Sequence, residues 1–227
     1  MTRLLTCGWE AGHLDEVPNS VTTANSGTIN VSTSDPGPRT GSYRLRAAAG
    51  VTSPASVARY RVGFGSQSEV WIRFGCAPRV STGSDLQVMF CELRDATAAV
   101  IADLRYNTVT GVIEARVGSS QIATSGAAHF AVAGANEQWH AIEIHYVPSN
   151  SAGVLEVYLD GVRVINIQPG DTIDTTIGQE NVAYLTLGFA RSATGSNQDR
   201  NSFDDLAINS PAGSRNNGRV GQGGIVA

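Results

Sequence analysis

The segment from Trp139 to Ile165, WHAIEIHYVPSNSAGVLEVYLDGVRVI, constrains the fold most, because apolar and polar residues alternate along it. Alternation with a period of two is typical of a β-strand that buries one face. Asp160 and Gly161 interrupt the last stretch, and this dipeptide readily adopts the positive φ angles of a two-residue turn between antiparallel strands. The segment therefore predicts consecutive antiparallel strands that end in a tight hairpin.

The rest of the chain repeats this pattern, and helical periodicity is almost absent from it. Short runs with strand character are separated by Gly, Ser, Asn and Pro. The predicted strands are 28–32, 42–47, 56–62, 69–74, 85–93, 98–106, 111–117, 121–124, 139–146, 153–160, 163–167, 181–188 and 202–209. Many short strands at regular spacing are typical of an antiparallel two-sheet β-sandwich, which we place in one domain, residues 1–209.

Apolar residues near the centres of these runs predict the core of the sandwich. Large aliphatic and aromatic side chains at such positions usually pack between the two sheets. The predicted core residues are Trp71, Phe74, Ile142, Ile144, Leu155, Val157, Leu185 and Leu187.

Composition narrows the class of protein. A chain of 227 residues is long enough for one large sandwich with a buried core, and its formal charge of −4 argues against nucleic acid as a partner. All 16 basic residues are arginine. The three cysteines fit neither a disulfide scaffold nor a zinc motif, so we expect Cys76 and Cys91 to be buried free thiols.

The N-terminal residues, MTRLLTCGWE, lack the apolar stretch of a secretory signal peptide, and no later segment is apolar enough to span a membrane. We therefore expect a protein that is made in the cytosol and has no membrane partner.

The last residues, 210–227, are rich in Gly, Asn and Ser and form a predicted C-terminal arm. Such a segment buries too little surface to order itself alone, so we expect it to contact a neighbouring subunit.

Enzymatic chemistry finds little support in the sequence. A glycosidase needs two carboxylates that flank the scissile bond. Glu92 and Asp95 would face opposite sides of a regular strand, and Glu156 shares a face with Asp160, which the hairpin turn uses. There is no Gly-x-Ser-x-Gly motif for a nucleophilic serine. We therefore expect no catalytic residues.

Several motifs resemble those of a known group of domains. A Trp opens the strand at 139, VYLDGV follows at 157–162, and FDDLAI lies at 203–208. CGWEAG at 7–12 and RTGSYRLRA at 39–47 complete the set. Together they resemble concanavalin A-like jelly rolls, in particular laminin-G-like modules of the kind found in bacteriophage virion proteins. The resemblance covers residues 4–210 and implies a jelly-roll fold.

The resemblance also implies a structural calcium ion. In similar jelly rolls, the N-terminal segment, a nearby turn and a C-terminal Asp hold calcium through hard oxygen ligands. The matching positions here are Glu10, Ser42 and Asp205, with Asp204 as a substitute for Asp205. This chain departs from the pattern because no Asp follows Gly12. The alternative is that Glu10 pairs with Arg44 or Arg46.

Exposed loops are the expected place for a glycan. Residues 134–138 and 197–201 offer amides and carboxylates that can bond to sugar hydroxyls, and we name Asn197, Asp199 and Asn201 as candidates.

The resemblance and the missing signal peptide together predict a non-enzymatic bacteriophage virion protein, a structural or decoration protein of head or tail. Its arm and N-terminal strand would contact copies of itself and other virion proteins, and its loops would contact host cell-surface glycans. The alternative is a free carbohydrate-binding module or lectin, and a polysaccharide hydrolase is a third class.

Overall fold

The structure, a computed structural model, is an all-β sandwich with almost no helix. It describes residues 2–25, 27–34, 37–48, 56–79, 87–117, 120–130, 137–149, 152–169, 181–191 and 200–211. The predicted C-terminal arm lies outside the described residues from position 212 onward. Within the described part of the chain, no helix is long and apolar enough to cross a membrane.

The strands are numbered β1 to β15 in chain order. They are Thr2–Cys7, Asn19–Ala24, Thr28–Ser32, Arg44–Ala48, Val57–Gln67, Val70–Arg79, Gln87–Arg94, Val100–Asn107, Val112–Val117, Ser120–Ala128, His140–Val147, Val154–Leu159, Val162–Ile167, Val182–Arg191 and Arg200–Ser210. One turn of 3₁₀ helix, Leu14–Glu16, lies between β1 and β2.

Two antiparallel sheets form the sandwich. The eight-stranded sheet has the order β13-β12-β11-β6-β15-β4-β3, with β1 also paired to β15, and the seven-stranded sheet has the order β10-β9-β8-β7-β14-β5-β2. The antiparallel two-sheet β-sandwich that the strand pattern predicts is therefore confirmed. Neighbouring strands of a sheet are often far apart in sequence, as β6 and β15 are.

Two strands were not predicted from the sequence. β1 pairs with the second half of β15, and β2 forms an edge by pairing with β5. The segment of β2, NSVTTA, has no regular alternation that would mark a strand. β1 fills a place in its own sheet, and its expected contact with a neighbouring subunit stays a prediction.

The core lies between the sheets and contains most of the predicted residues. Phe74, Ile142 and Ile144 of the eight-stranded sheet are fully buried against Leu185 and Leu187 of the other sheet. The prediction that Trp71 lies in the core is wrong. Trp71 has the opposite parity to Phe74 on β6, so it lies on the outer face, where its ring stacks on His145 with 4.0 Å between centroids.

The Asp160-Gly161 hairpin is confirmed. Both residues have positive φ, 48° and 91°, and they join β12 to β13. The carboxylate of Asp160 also accepts the backbone N–H of Ala141 at 2.8 Å and contacts His140 Nδ1 at 2.7 Å. The turn thus ties two hairpins of the same sheet together.

The three cysteines are buried free thiols, as predicted for Cys76 and Cys91. Burial raises the pKa of the Cys7 thiol to about 12 and raises the pKa of Cys91 well above its usual range. All three are therefore neutral packing residues at physiological pH.

Candidate functional site

A row of polar and charged side chains crosses the outer face of the seven-stranded sheet, which is the face turned away from the core. The register of neighbouring strands places one such residue on each strand. The row runs Ser20, Arg61, Thr186, Glu92, Asp103, Arg116 and Gln121. Six steps between strands span about 29 Å, which is long enough for an extended ligand.

Buried carboxylates in the row are bound by arginines. Glu92 accepts from Arg59 at 2.9 Å and from Arg94 at 2.5 Å, and Asp103 accepts from Arg105 at 2.6 Å. Glu92 and Asp103 also lie directly opposite each other on β7 and β8. Burial raises the pKa of Asp103, and Glu92 adds to the rise, while Arg105 opposes it. The arginines therefore cover the carboxylates and neutralise most of their charge.

Two surface pockets adjoin at Arg61. One, of about 220 Å³, is lined by Pro18, Asn19, Ser20, Arg61, Gly63 and Tyr184. The other, of about 200 Å³, is lined by Thr22, Arg59, Arg61, Arg94 and Thr186. We call the two pockets together the Arg61 groove. Hydroxyls, a phenol ring and guanidinium groups converge in it, which is the set of groups that binds polar ligands such as sugars.

The sequence contains a signal for this face that strand assignment alone does not use. Each of β7, β8 and β9 carries an acidic residue, an apolar residue and an arginine in succession, in ELR, DLR and EAR. The acidic members, Glu92, Asp103 and Glu114, are evenly spaced along the chain. Because alternate residues share a face, each triplet places its acid and its arginine on the outer face and its middle residue in the core.

A second candidate site brings together the residues proposed for calcium. Glu10 and Asp205 line one pocket of about 390 Å³ with Thr6, Cys7, Gly8, Thr40 and Gly41. Ser42 lies beside it and donates its backbone N–H to Glu10 Oε2 at 2.8 Å. Gly41 has a φ of 64°, a conformation that favours glycine, and a Cβ there would displace the Glu10 carboxylate.

Asp204 and Asp205 are held by the 39–40 segment. Asp204 Oδ2 accepts the backbone N–H groups of Arg39 at 2.9 Å and Thr40 at 3.1 Å. Asp205 accepts from the Arg39 guanidinium at 2.9 Å and from the Thr40 hydroxyl at 2.5 Å. Burial raises the pKa of Asp204 to about 7. The backbone hydrogen bond from Thr40 lowers this pKa, and the nearby charge of Asp205 raises it further. Asp204 therefore titrates near neutral pH.

The donor atoms at this pocket fit a calcium ion in part. The Glu10 and Asp205 carboxylates and the Thr40 hydroxyl supply hard oxygens of the kind that calcium prefers. Arg39 already neutralises one oxygen of Asp205. Among the described residues, no three His, Cys, Asp or Glu side chains form a metal-binding cluster. Backbone carbonyls and water would have to complete the usual coordination shell, and calcium stays a prediction.

Asn201 is not on an exposed loop, which corrects the sequence-based expectation. It lies in β15 with 0% exposure, and its amide bonds to Tyr106 Oη, the Met89 carbonyl and the Gly188 carbonyl. Strand parity turns it into the core, where no glycan can reach it. Asn197 and Asp199 lie outside the described residues, as does most of the 134–138 loop.

Two other acidic residues, Glu143 and Glu156, are separated from Glu92 by the whole sandwich. Glu143 and Glu156 lie on the outer face of the eight-stranded sheet, and Glu92 lies on that of the other sheet. Burial opposes ionisation of Glu156, but hydrogen bonds from Arg163, His145 and Tyr158 hold its pKa below the usual value. Asp95 accepts hydrogen bonds within its own turn.

Comparisons by sequence return no relatives. No protein-family model matches the chain, and no curated protein matches it.

Solved structures do match. One is described as cellulose induced protein Cip1, at 18% identity and a TM-score of 0.68, over 96% of this chain and all of that one. Another is described as a conserved carbohydrate esterase of Shiga toxin-encoding bacteriophage phi24B, at 14% identity and a TM-score of 0.58, over 91% and 97% of the two chains. A third, a Bacillus subtilis protein of unknown function with a galectin-like fold, matches at 11% identity and a TM-score of 0.57, over 92% and 96%.

At these identities the shared property is the fold. The chain is a jelly-roll β-sandwich, and the matches run through almost its whole length.

Proposed function

We propose that this chain is a non-enzymatic carbohydrate-binding jelly roll that binds glycan on the outer face of its seven-stranded sheet. The observation that carries the proposal is the row of polar and charged side chains across all strands of that sheet, together with the Arg61 groove. An extended saccharide can lie along such a row and exchange its water hydrogen bonds for bonds to hydroxyl and guanidinium groups. The lectin-like fold supports the same conclusion.

The geometry favours binding over cleavage. Glu92 and Asp103 are an adjacent carboxylate pair, but they are only 2% and 5% exposed and lie beneath their arginine partners. A general acid or nucleophile must reach the glycosidic oxygen or the anomeric carbon of the substrate. These two carboxylates organise the arginines instead.

We further propose that the protein is displayed on a bacteriophage virion, in contact with copies of itself and with other virion proteins. The resemblance of its motifs to phage jelly rolls supports this setting, as does the fold shared with a phage protein over nearly the whole chain. Display on a particle would add avidity to a shallow groove that binds each glycan weakly. Calcium bound by Glu10 and Asp205 is a further proposal, tested below.

Glycan binding is tested with the purified full chain on a saccharide array, followed by isothermal titration with each ligand found. We expect binding to one or more polysaccharides, with no release of reducing ends, unsaturated sugars or acetate during long incubation. Binding to no saccharide would contradict the proposed function. Turnover of any ligand would show that the protein is an enzyme.

The virion setting is tested by mass spectrometry of purified phage particles that carry this coding sequence. We expect peptides from the chain in the particles at a constant ratio to the major structural protein. Their absence from the particles, with the protein present in the lysate, would favour the alternative, a free carbohydrate-binding module.

A further inference from the structure

Arg61 differs from the other arginines of the seven-stranded sheet. Arg59, Arg94 and Arg105 each bind a carboxylate of the sheet. Arg61 instead donates from Nε to Ser20 Oγ at 3.0 Å and lies over the Tyr184 ring, 5.2 Å from its centroid. Within the described residues it has no acidic partner. Its guanidinium is therefore a fixed positive charge in the centre of the groove with donors left for a ligand.

Two buried polar atoms beside Arg61 also lack a partner. Thr186 is only 1% exposed and lines the second pocket of the groove. Its hydroxyl oxygen, Oγ1, has no hydrogen-bond partner among the described residues. Arg59 Nε is also buried and has no hydrogen-bond partner among the described residues. Buried polar groups are costly to leave unpaired, so a water molecule or a ligand that bonds to these two atoms at the pocket wall would stabilise them.

The positive charge on the outer face of the seven-stranded sheet favours an acidic ligand. Five arginines, at positions 59, 61, 94, 105 and 116, outnumber its three carboxylates, Glu92, Asp103 and Glu114, so the face is positive on a chain whose formal charge is −4. The arginines of this face already bind carboxylates at 2.5 to 2.9 Å. Because Arg61 Nε already donates to Ser20, a ligand carboxylate can bind the two terminal nitrogens of this guanidinium, with two parallel hydrogen bonds.

We infer that the Arg61 groove binds a uronate-containing polysaccharide, with Arg61 anchoring a sugar carboxylate, Thr186 and Arg59 bonding to an adjacent hydroxyl or carboxylate oxygen, and Tyr184 contacting the ring. The inference rests on the proposed function and specifies its ligand. Gly63 leaves the Tyr184 ring open to the ligand, because a Cβ at Gly63 would lie 3.1 Å from Tyr184 Cε1.

The test uses polygalacturonate and its fully methyl-esterified form, which has the same backbone without the charge. We expect isothermal titration to show binding of polygalacturonate alone, weakened by added salt because charge attraction is screened. Dextran, dextran sulfate and single-stranded DNA are measured alongside. Tighter binding of dextran sulfate or DNA than of polygalacturonate would overturn the assignment to a uronate.

Three variants locate the site. Arg61→Gln removes the free charge and should weaken binding about tenfold or more, and Arg61→Lys should bind between wild type and Arg61→Gln because the charge remains without the two-point geometry. Thr186→Val should weaken binding severalfold without lowering the melting temperature, because it removes a hydroxyl that has no partner in the free protein. Arg3→Gln, an equal change of charge at an exposed position of β1, is the control and should bind as wild type does.

The outcomes separate this inference from the proposed function. Equal binding of the esterified polymer, or equal affinity of Arg61→Gln and Arg3→Gln, would overturn the uronate inference while glycan binding stands. Failure of every saccharide on the array would overturn both.

Discussion

We expect replacement of Asn201 with alanine to lower the free energy of unfolding by about 3 to 5 kcal/mol, which corresponds to a fall of roughly 10 °C in melting temperature for a chain of this length. The side chain comes from β15 of the eight-stranded sheet and bonds to atoms of β7, β8 and β14 in the other sheet. Its loss leaves the Met89 and Gly188 carbonyls and the Tyr106 hydroxyl without that partner in the interior.

The two carbonyls need this partner because the strands are irregular where they lie. The pairing of β14 with β7 shifts register between Leu187 and Ala190, and that of β7 with β8 shifts between Met89 and Cys91. A β-bulge removes regular partners from the backbone of the bulged strand. Asn201 supplies one donor to each side of the irregularity.

Urea denaturation of Asn201→Ala and wild type measures the effect. Asn30→Ala, at an exposed position of edge strand β3, is the matched control and should change stability by less than about 0.5 kcal/mol. Glycan affinity of the folded variant should equal that of wild type, because Asn201 does not reach the surface. Unchanged stability with lost glycan binding would reverse the assignment and restore Asn201 as a binding residue.

The second large effect is a dependence of stability on pH that comes from Asp204. Its pKa rises from 3.8 to about 7 on folding, chiefly through burial. Between these values the folded protein holds a proton that the unfolded chain has released, so its contribution is complete below about pH 4 and is lost as the pH rises through about 7. The contribution to the free energy of unfolding is as much as about 4 kcal/mol.

Denaturation at several pH values with EGTA present tests this dependence. Wild type should lose stability from about pH 4 to pH 7, and Asp204→Asn should be less stable at acid pH but show a flatter profile. Asp15→Asn, an exposed position with the same change of charge, is the control and should keep the wild-type slope. Equal slopes in all three proteins would show that Asp204 does not carry the proton.

Calcium added at pH 7 provides a second arm of the same experiment. If Glu10 and Asp205 bind calcium, the metal raises the melting temperature of wild type, because it binds the folded chain and not the unfolded one. Glu10→Gln should lose this response. No shift in wild type at millimolar calcium would contradict the proposed calcium site and leave the pH result standing.

Local patterning determined most of the strands, since alternation and turn residues act over a few positions. The strands from β3 onward, the Asp160-Gly161 turn and the core positions Phe74, Ile142 and Ile144 follow from it. Edge strands β1 and β2 do not, because their places are set by long-range pairing with β15 and β5. Trp71 shows the same limit, since a large aromatic residue is compatible with either face of a strand and neighbouring Phe74 takes the core.

The sequence by itself determined the all-β class of this protein and the acid and arginine triplets that its outer face carries, because side chains on a strand alternate with a period of two whatever the fold. Only the tertiary structure decided which of these side chains lie together at the proposed glycan site. Strand order and register align those triplets into one row, leave Arg61 as the arginine of that face that has no acidic partner among the described residues, and turn Asn201 inward. These outcomes depend on pairing between distant segments, and the free energy of that pairing comes from the whole core.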